Sequence, residues 1–132
     1  MTKGYLTLVL HAHLPYVRHP EFEEFMEERW LFEAMTETYI PLLRGFEALE
    51  TDGVPFHLTM SLTPPLMEML EAKDLQEKYI RHLEKLIELA QKEVEQTRAE
   101  HPTKHKMAQY YLKDFQEKLT YFRDRVGCRL LE

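Results

Sequence analysis

Two short segments of the chain have the hydrophobic pattern of strands: residues 4–10 are nearly continuous in apolar residues, and in residues 56–62 apolar and polar residues alternate. Both segments are rich in apolar and β-favouring residues, a pattern typical of parallel strands that are covered on both faces. Successive side chains of a strand point to opposite faces. If the extended conformation continues, one face is largely apolar and the other carries Thr7, Val9, His11 and His13 in the first segment and His57, Thr59, Ser61 and Thr63 in the second. We therefore predict two strands that share an interior which becomes polar towards its open end.

Longer segments have apolar residues at helical spacing, which predicts amphipathic helices over residues 30–50, 74–98 and 107–126. Pro41 lies inside the first helix, and we expect a kink or a break just before it because proline lacks an amide donor and clashes with the preceding turn. Asp74 and Glu77 have the spacing of a capping box at the start of the second helix. Pro64 and Pro65 should end the second strand and begin a short helix.

The order of the predicted elements is strand, helix, strand and then two long helices, which indicates an α/β fold. A sheet of two parallel strands has unpaired edges on both sides, and such small sheets are rarely stable alone. A (β/α) barrel typically takes about 250 residues, whereas the chain has 132. We therefore expect residues 1–132 to form one unit, the N-terminal part of an incomplete barrel.

The charge of the chain excludes some classes of partner. A formal net charge of −6 argues against binding to nucleic acid, because phosphate backbones are held by clustered lysine and arginine. The first apolar run is interrupted by His11 and His13 before it reaches the length of a signal-peptide core or a membrane span, so we expect a cytoplasmic protein that does not bind membranes. The single cysteine, Cys128, is assigned no role. Interspersed glutamate and lysine with no asparagine are weakly typical of a thermophile.

The strongest candidate for chemistry is the pair His11 and His13, which lies directly at the carboxyl end of the first predicted strand. In barrel enzymes active sites are assembled at that edge, and alternate residues of an extended strand point to one side, so both imidazoles can face one pocket. Imidazole can serve there as a metal ligand, a proton carrier or a hydrogen-bonding group for a polar substrate. The structural alternative is that the histidines only bind backbone groups at the strand end.

The two histidines lie within residues 8–18, a segment that resembles the first conserved motif of glycoside hydrolase family 57. Residues 33–42 and 62–66 resemble the segments that follow it in the subgroup of 1,4-alpha-glucan branching enzymes. The resemblance implies a (β/α)7 barrel that acts on an α-glucan such as amylose, glycogen or a malto-oligosaccharide, without a cofactor or a metal. It also implies retention of configuration by a glutamate nucleophile and an aspartate acid/base. No residue of the chain matches those two motifs, so we expect no activity from residues 1–132 alone and a need for the C-terminal part of the enzyme.

The resemblance further implies that His11 lines the subsite where the sugar is cleaved, with His13 beside it. We take Tyr16 and Trp30 as further candidates for substrate binding, because flat aromatic rings suit the faces of sugars. The alternative for Trp30 is packing in the helical core. Ser61 and Thr63 are expected mainly to cap the end of the second strand. The acidic residues of the loop after the first strand are expected to be a solvated face: Glu21, Glu23, Glu24, Glu27 and Glu28.

Two other functions remain open at this point. A pair of histidines after a first barrel strand also binds zinc in amidohydrolase-like barrels, although tetrahedral zinc needs further ligands on other strands. A non-catalytic helical interaction module would make the histidines incidental. Within the resembling family, the sequence does not separate branching enzymes from amylases, pullulanases or glucanotransferases.

Overall fold

The computed structural model describes residues 4–98 and 101–132. In chain order the elements are β1 (Val9–Ala12), α1 (Glu28–Ala34), α2 (Ile40–Thr51), β2 (Thr59–Leu62), α3 (Pro64–Glu71), α4 (Lys73–Thr97) and α5 (Pro102–Thr120). Short π-helical segments, Met35–Tyr39 and Tyr121–Arg125, precede α2 and follow α5. None of the helices in these residues combines the length and the apolarity that a membrane span requires.

The two strands pair in parallel, as predicted, with Val9 opposite Thr59 and Ala12 opposite Leu62. The predicted starts of the strands are wrong, because β1 begins five residues after Gly4 and β2 three residues after Phe56. Tyr5 is 96% exposed, and its neighbours are also exposed, so nothing in the described part of the chain covers this segment. An apolar run without a covering layer lacks the packing that stabilises a strand.

The predicted irregularity before Pro41 is confirmed. The π-helical segment Met35–Tyr39 separates α1 from α2, and Pro41 lies in the first turn of α2. Proline has no amide hydrogen, and its ring does not fit against the carbonyl group four residues earlier, so regular α-helical bonding changes at this point. The first helix begins at Glu28, two residues earlier than predicted.

The predicted capping box at the start of α4 is wrong. The helix begins at Lys73 with Ala72 as the residue before it, and no side chain in the described part of the protein caps that end. The carboxylate of Asp74 instead accepts hydrogen bonds from the guanidinium of Arg18, with Nε 3.1 Å from both of its oxygens. A charged partner 56 residues away in sequence thus takes the place of the local contact.

The core lies between one face of the sheet and the helices. Ala12 is buried on that face, and Met60 and Leu62 pack against the same cluster. At the centre, the ring of Tyr79 on α4 meets Phe122 edge to face, with 4.9 Å between the centroids. The opposite face of the sheet is exposed, and it carries the polar side chains of both strands.

Candidate functional site

The exposed face of the sheet brings His11 of β1 and Ser61 of β2 together. The two residues are partners in the strand register, and His11 Nδ1 lies 2.5 Å from Ser61 Oγ. Parallel pairing places equivalent positions of neighbouring strands side by side, so the polar faces of β1 and β2 form one surface. Ser61 therefore binds a side chain of the site, whereas we had expected it mainly to cap the strand.

His13 lies on the same side as His11, although β1 ends at Ala12. Their rings are stacked, with 5.9 Å between the centroids and 15° between the planes. The chain stays extended past the strand end, and alternate residues then point to one side. The predicted proximity of the two imidazoles is confirmed. Both side chains are exposed, and their role in binding stays a prediction.

Tyr16 is held at the end of the motif by α3. Its hydroxyl donates a hydrogen bond to Glu68 Oε1 at 2.9 Å, and the residue remains 50% exposed. The contact fixes the polar end of the side chain and leaves part of the ring accessible. This arrangement is compatible with a flat surface for a sugar, which needs a rigid ring with one free face.

Trp30 lies on α1 and is 48% exposed. The next two residues, Leu31 and Phe32, are buried in the core, so Trp30 does not lie on the buried face of the helix. Trp30 is therefore not part of the core that the described residues form, and its role in binding stays a prediction. Thr63, the residue that precedes α3, forms no side-chain cap, and its buried hydroxyl oxygen has no hydrogen-bond partner in the described residues. The expected capping role of Thr63 is thus also wrong.

A buried ion pair that was not predicted from the sequence joins α1 and α4. Glu28 is 1% exposed and Lys78 is 7% exposed, and Glu28 Oε1 lies 2.6 Å from Lys78 Nζ. We had assigned Glu28 to a solvated face, which is wrong. A signal was present in the sequence, because position 28 is in helical phase with the buried residues Leu31, Phe32 and Met35.

Of the other acidic residues of this loop, Glu21, Glu23 and Glu24 are exposed, as expected, and Glu27 is partly buried. Glu21 and Glu27 flank the imidazole of His19, at 3.2 Å from Nδ1 and 3.3 Å from Nε2. Glu24 contacts the ammonium group of Lys85, and this contact lowers the pKa of the Glu24 carboxyl.

On α4, partial burial opposes ionisation of Asp74, but the hydrogen bonds and the charge of Arg18 outweigh it and lower the pKa of Asp74.

Within residues 4–98 and 101–132, no group of three or more histidine, cysteine, aspartate or glutamate side chains is arranged to hold a metal ion. The zinc alternative needs such a group around His11 and His13. Partial burial raises the pKa of the Cys128 thiol, which disfavours the thiolate form that binds metals. The described residues therefore give the amidohydrolase-like alternative no support.

Comparison with known proteins gives consistent matches along the chain. Residues 7–125 match the family model of glycosyl hydrolase family 57. A 1,4-alpha-glucan branching enzyme of Thermococcus kodakarensis is 38% identical over 111 residues, which are 84% of this chain and 16% of that enzyme. A probable 1,4-alpha-glucan branching enzyme of Mycobacterium tuberculosis is 35% identical over 68 residues, 52% of this chain and 13% of the relative.

Two crystal structures share the fold. The α-amylase AmyC of Thermotoga maritima is 62% identical with a TM-score of 0.88, and the match covers 96% of this chain and 24% of that one. The GH57-type branching enzyme of Pyrococcus horikoshii is 35% identical with the same TM-score of 0.88, over 98% of this chain and 24% of that one. The chain thus spans a quarter or less of these relatives. The matches confirm the predicted α/β fold class, which is that of (β/α)7 barrel enzymes. The chain belongs to glycosyl hydrolase family 57.

Proposed function

We propose that residues 1–132 are the N-terminal portion of a family 57 catalytic domain that acts on an α-glucan and forms branches in it. Membership of the family and the similarity to branching enzymes support this proposal. The observation that carries it is the surface formed by His11, His13 and Ser61 at the carboxyl ends of β1 and β2. Enzymes built on parallel strands assemble their active sites at this end of the sheet.

Ser61 gives the His11 ring a fixed orientation. Among the residues that the structure describes, only Nδ1 of this ring has a hydrogen-bond partner, so Nε2 is available to a ligand. The direction of the Ser61 hydrogen bond sets whether Nε2 donates or accepts. A sugar hydroxyl suits either case because it donates and accepts. The stacked ring of His13 offers a second polar edge beside it. In this proposal the half-exposed rings of Tyr16 and Trp30 contact the apolar faces of neighbouring glucose units.

The chemistry itself requires groups from outside residues 1–132. Retention of configuration needs two carboxyl groups roughly 5 Å apart across the scissile bond, one as nucleophile and one as acid and then base. No carboxylate of this chain matches the corresponding motifs of the family. We propose that a glutamate and an aspartate of the remaining catalytic domain supply them, so that residues 1–132 bind glucan but do not cleave it alone.

Substitution of His11 tests the proposal. In the native polypeptide that carries these residues, His11→Ala should lower kcat/KM on amylose by about 100-fold, the usual cost of losing one aligned polar contact to the transition state. His101→Ala is the matched control, because His101 is an exposed histidine between α4 and α5. Equal activity of both variants would show that His11 does not bind the substrate.

The products distinguish branching from hydrolysis. A branching enzyme transfers the cleaved glucan to another chain, so new α-1,6 bonds should appear in amylose with little gain in reducing ends. The relative with 62% identity is an α-amylase, so this assay is needed to establish the specificity. A gain in reducing ends without new branches would assign the enzyme to hydrolysis.

The cytoplasmic location and the thermophilic origin stay predictions, which cell fractionation and a temperature profile of activity would test.

A further inference from the structure

The buried pair of Glu28 and Lys78 does more than satisfy its own charges. Glu28 Oε1 also accepts a hydrogen bond from the main-chain amide of His19 at 3.1 Å, and Lys78 Nζ donates one to the main-chain carbonyl of His19 at 3.0 Å. Helices α1 and α4 therefore hold both main-chain polar groups of a single loop residue. His19 lies six residues after His13 and three after Tyr16.

His19 is the last of four consecutive residues that are attached to the helices. The hydroxyl of Tyr16 binds Glu68, and the amide of Val17 donates to Met69 Sδ at 3.2 Å. Arg18 binds Asp74, but both side chains of that pair are about 30% exposed. The contacts with His19 are the ones made by charged side chains that are themselves buried, Glu28 and Lys78, and burial strengthens a charged hydrogen bond.

Stabilisation of the fold does not by itself explain why two charged residues are buried in the core. Removing two charges from water costs free energy that their attraction often fails to recover, and apolar residues of similar size usually serve as well or better. What apolar residues do not provide is a directed hydrogen bond to each side of one residue of the loop. The pair thus supplies geometry that packing alone does not.

We propose that Glu28 and Lys78 are positioning residues for the glucan-binding surface. By holding the main chain of His19 they fix the path of residues 13–19, and so the placement of His13 and Tyr16 relative to His11. This inference rests on the proposed function, because it assigns the pair a role in binding the same substrate. His11 is held independently by the sheet and by Ser61, so the effect is on substrate binding more than on the chemical step.

Two single substitutions in the native polypeptide separate positioning from stability. Glu28→Gln and Lys78→Met each leave one buried charge unpaired, so both should lower Tm. Glu28→Gln keeps an oxygen for the His19 amide and leaves Lys78 in contact with the His19 carbonyl. The amide nitrogen of the glutamine can take the position of Glu28 Oε2, which has no hydrogen-bond partner among the described residues. Lys78→Met removes the side-chain donor to the His19 carbonyl and leaves that carbonyl only the amide of Phe22, at 3.2 Å.

The expected result is a rise in KM for a malto-oligosaccharide of about tenfold in Lys78→Met, with a smaller change in kcat, since small misplacements of binding groups are costly. Glu28→Gln should stay within about twofold of the wild type although its Tm is also lower. The double variant Glu28→Leu/Lys78→Met should restore Tm and keep the raised KM, because it removes both charges and both contacts with His19.

A KM that follows Tm across the three variants would overturn the proposal and leave the pair a purely structural one. If the double variant does not fold, the comparison of Lys78→Met with Glu28→Gln below their Tm decides the question, and equal KM values overturn the proposal. Absence of α-glucan activity in the wild-type polypeptide would instead refute the proposed function. The two failures are distinguishable, because the first appears only among variants of an active enzyme.

Discussion

The hydrogen bond between Thr36 and Tyr79 makes a sharp test of how the core is held. Tyr79 is fully buried on α4, and its hydroxyl lies 2.9 Å from Thr36 Oγ1. The Thr36 hydroxyl also donates to the carbonyl of Phe32 at 2.7 Å. Since that hydroxyl has one hydrogen, Tyr79 must be the donor in the contact between the two side chains. The two substitutions that break this contact are therefore not equivalent.

Tyr79→Phe removes the donor and leaves Thr36 bonded to Phe32, so it should cost about 1 kcal/mol, the net value of one hydrogen bond. Thr36→Val removes the acceptor and leaves a buried tyrosine hydroxyl without a partner, which should cost about 2 kcal/mol. The double variant contains neither the bond nor the unsatisfied group. We expect it to be no less stable than Thr36→Val alone, so the two losses should not add.

Urea unfolding of the native polypeptide that carries these residues, followed by far-UV circular dichroism, measures these free energies. The expected order of destabilisation is Thr36→Val first and Tyr79→Phe second, with the double variant below the sum of the two. The reasoning would be refuted if Tyr79→Phe cost as much as Thr36→Val and the double variant cost their sum. Such a result would mean that the hydroxyl of Tyr79 finds another partner or reaches water.

Three further outcomes follow from the same core. Phe122→Ala should cost about 3–5 kcal/mol in urea, because the fully buried ring packs edge to face on Tyr79, and a cost under about 1 kcal/mol would contradict this packing. Burial and the charge of Arg29 lower the pKa of His82, so as pH falls below about 6.5 the unfolded chain takes up its proton first and stability should decrease. A Tm series in His82→Gln should lose that part of the slope, and an unchanged slope would refute the assignment. Burial raises the pKa of Tyr79, so stability should fall above about pH 10 as the unfolded chain ionises, and an equal fall in Tyr79→Phe would contradict this cause.

Local patterns predicted the type and the order of the elements. The parallel pairing of the strands, the interruption before Pro41 and the common side of His11 and His13 all follow from periodicity and from the stereochemistry of proline. The starts of the strands did not follow, because residues 4–8 have the composition of a strand without a covering layer in the described part of the chain. The composition of a segment indicates that it can form a covered strand. Whether it forms one depends on whether another part of the fold packs against it.

The contacts that hold the loop after β1 were not predictable from local spacing. Asp74 has the spacing of a helix cap, but a guanidinium 56 residues earlier binds it instead. Lys78 and Glu28 bind the main chain of His19. Because nearly every residue has the same main-chain groups, the sequence does not show which residue is bound. The helical phase of position 28 indicated burial, but the partner of a buried charge is known only once the helices are packed.

A crystal structure of the native polypeptide with a bound malto-oligosaccharide tests the central claim most directly. The account predicts a glucose unit within hydrogen-bonding distance of the free ring nitrogen of His11, with His13 beside the same unit and Ser61 still bound to His11. A structure in which other parts of the protein cover both imidazoles, or in which the glucan lies away from this face of the sheet, would contradict it.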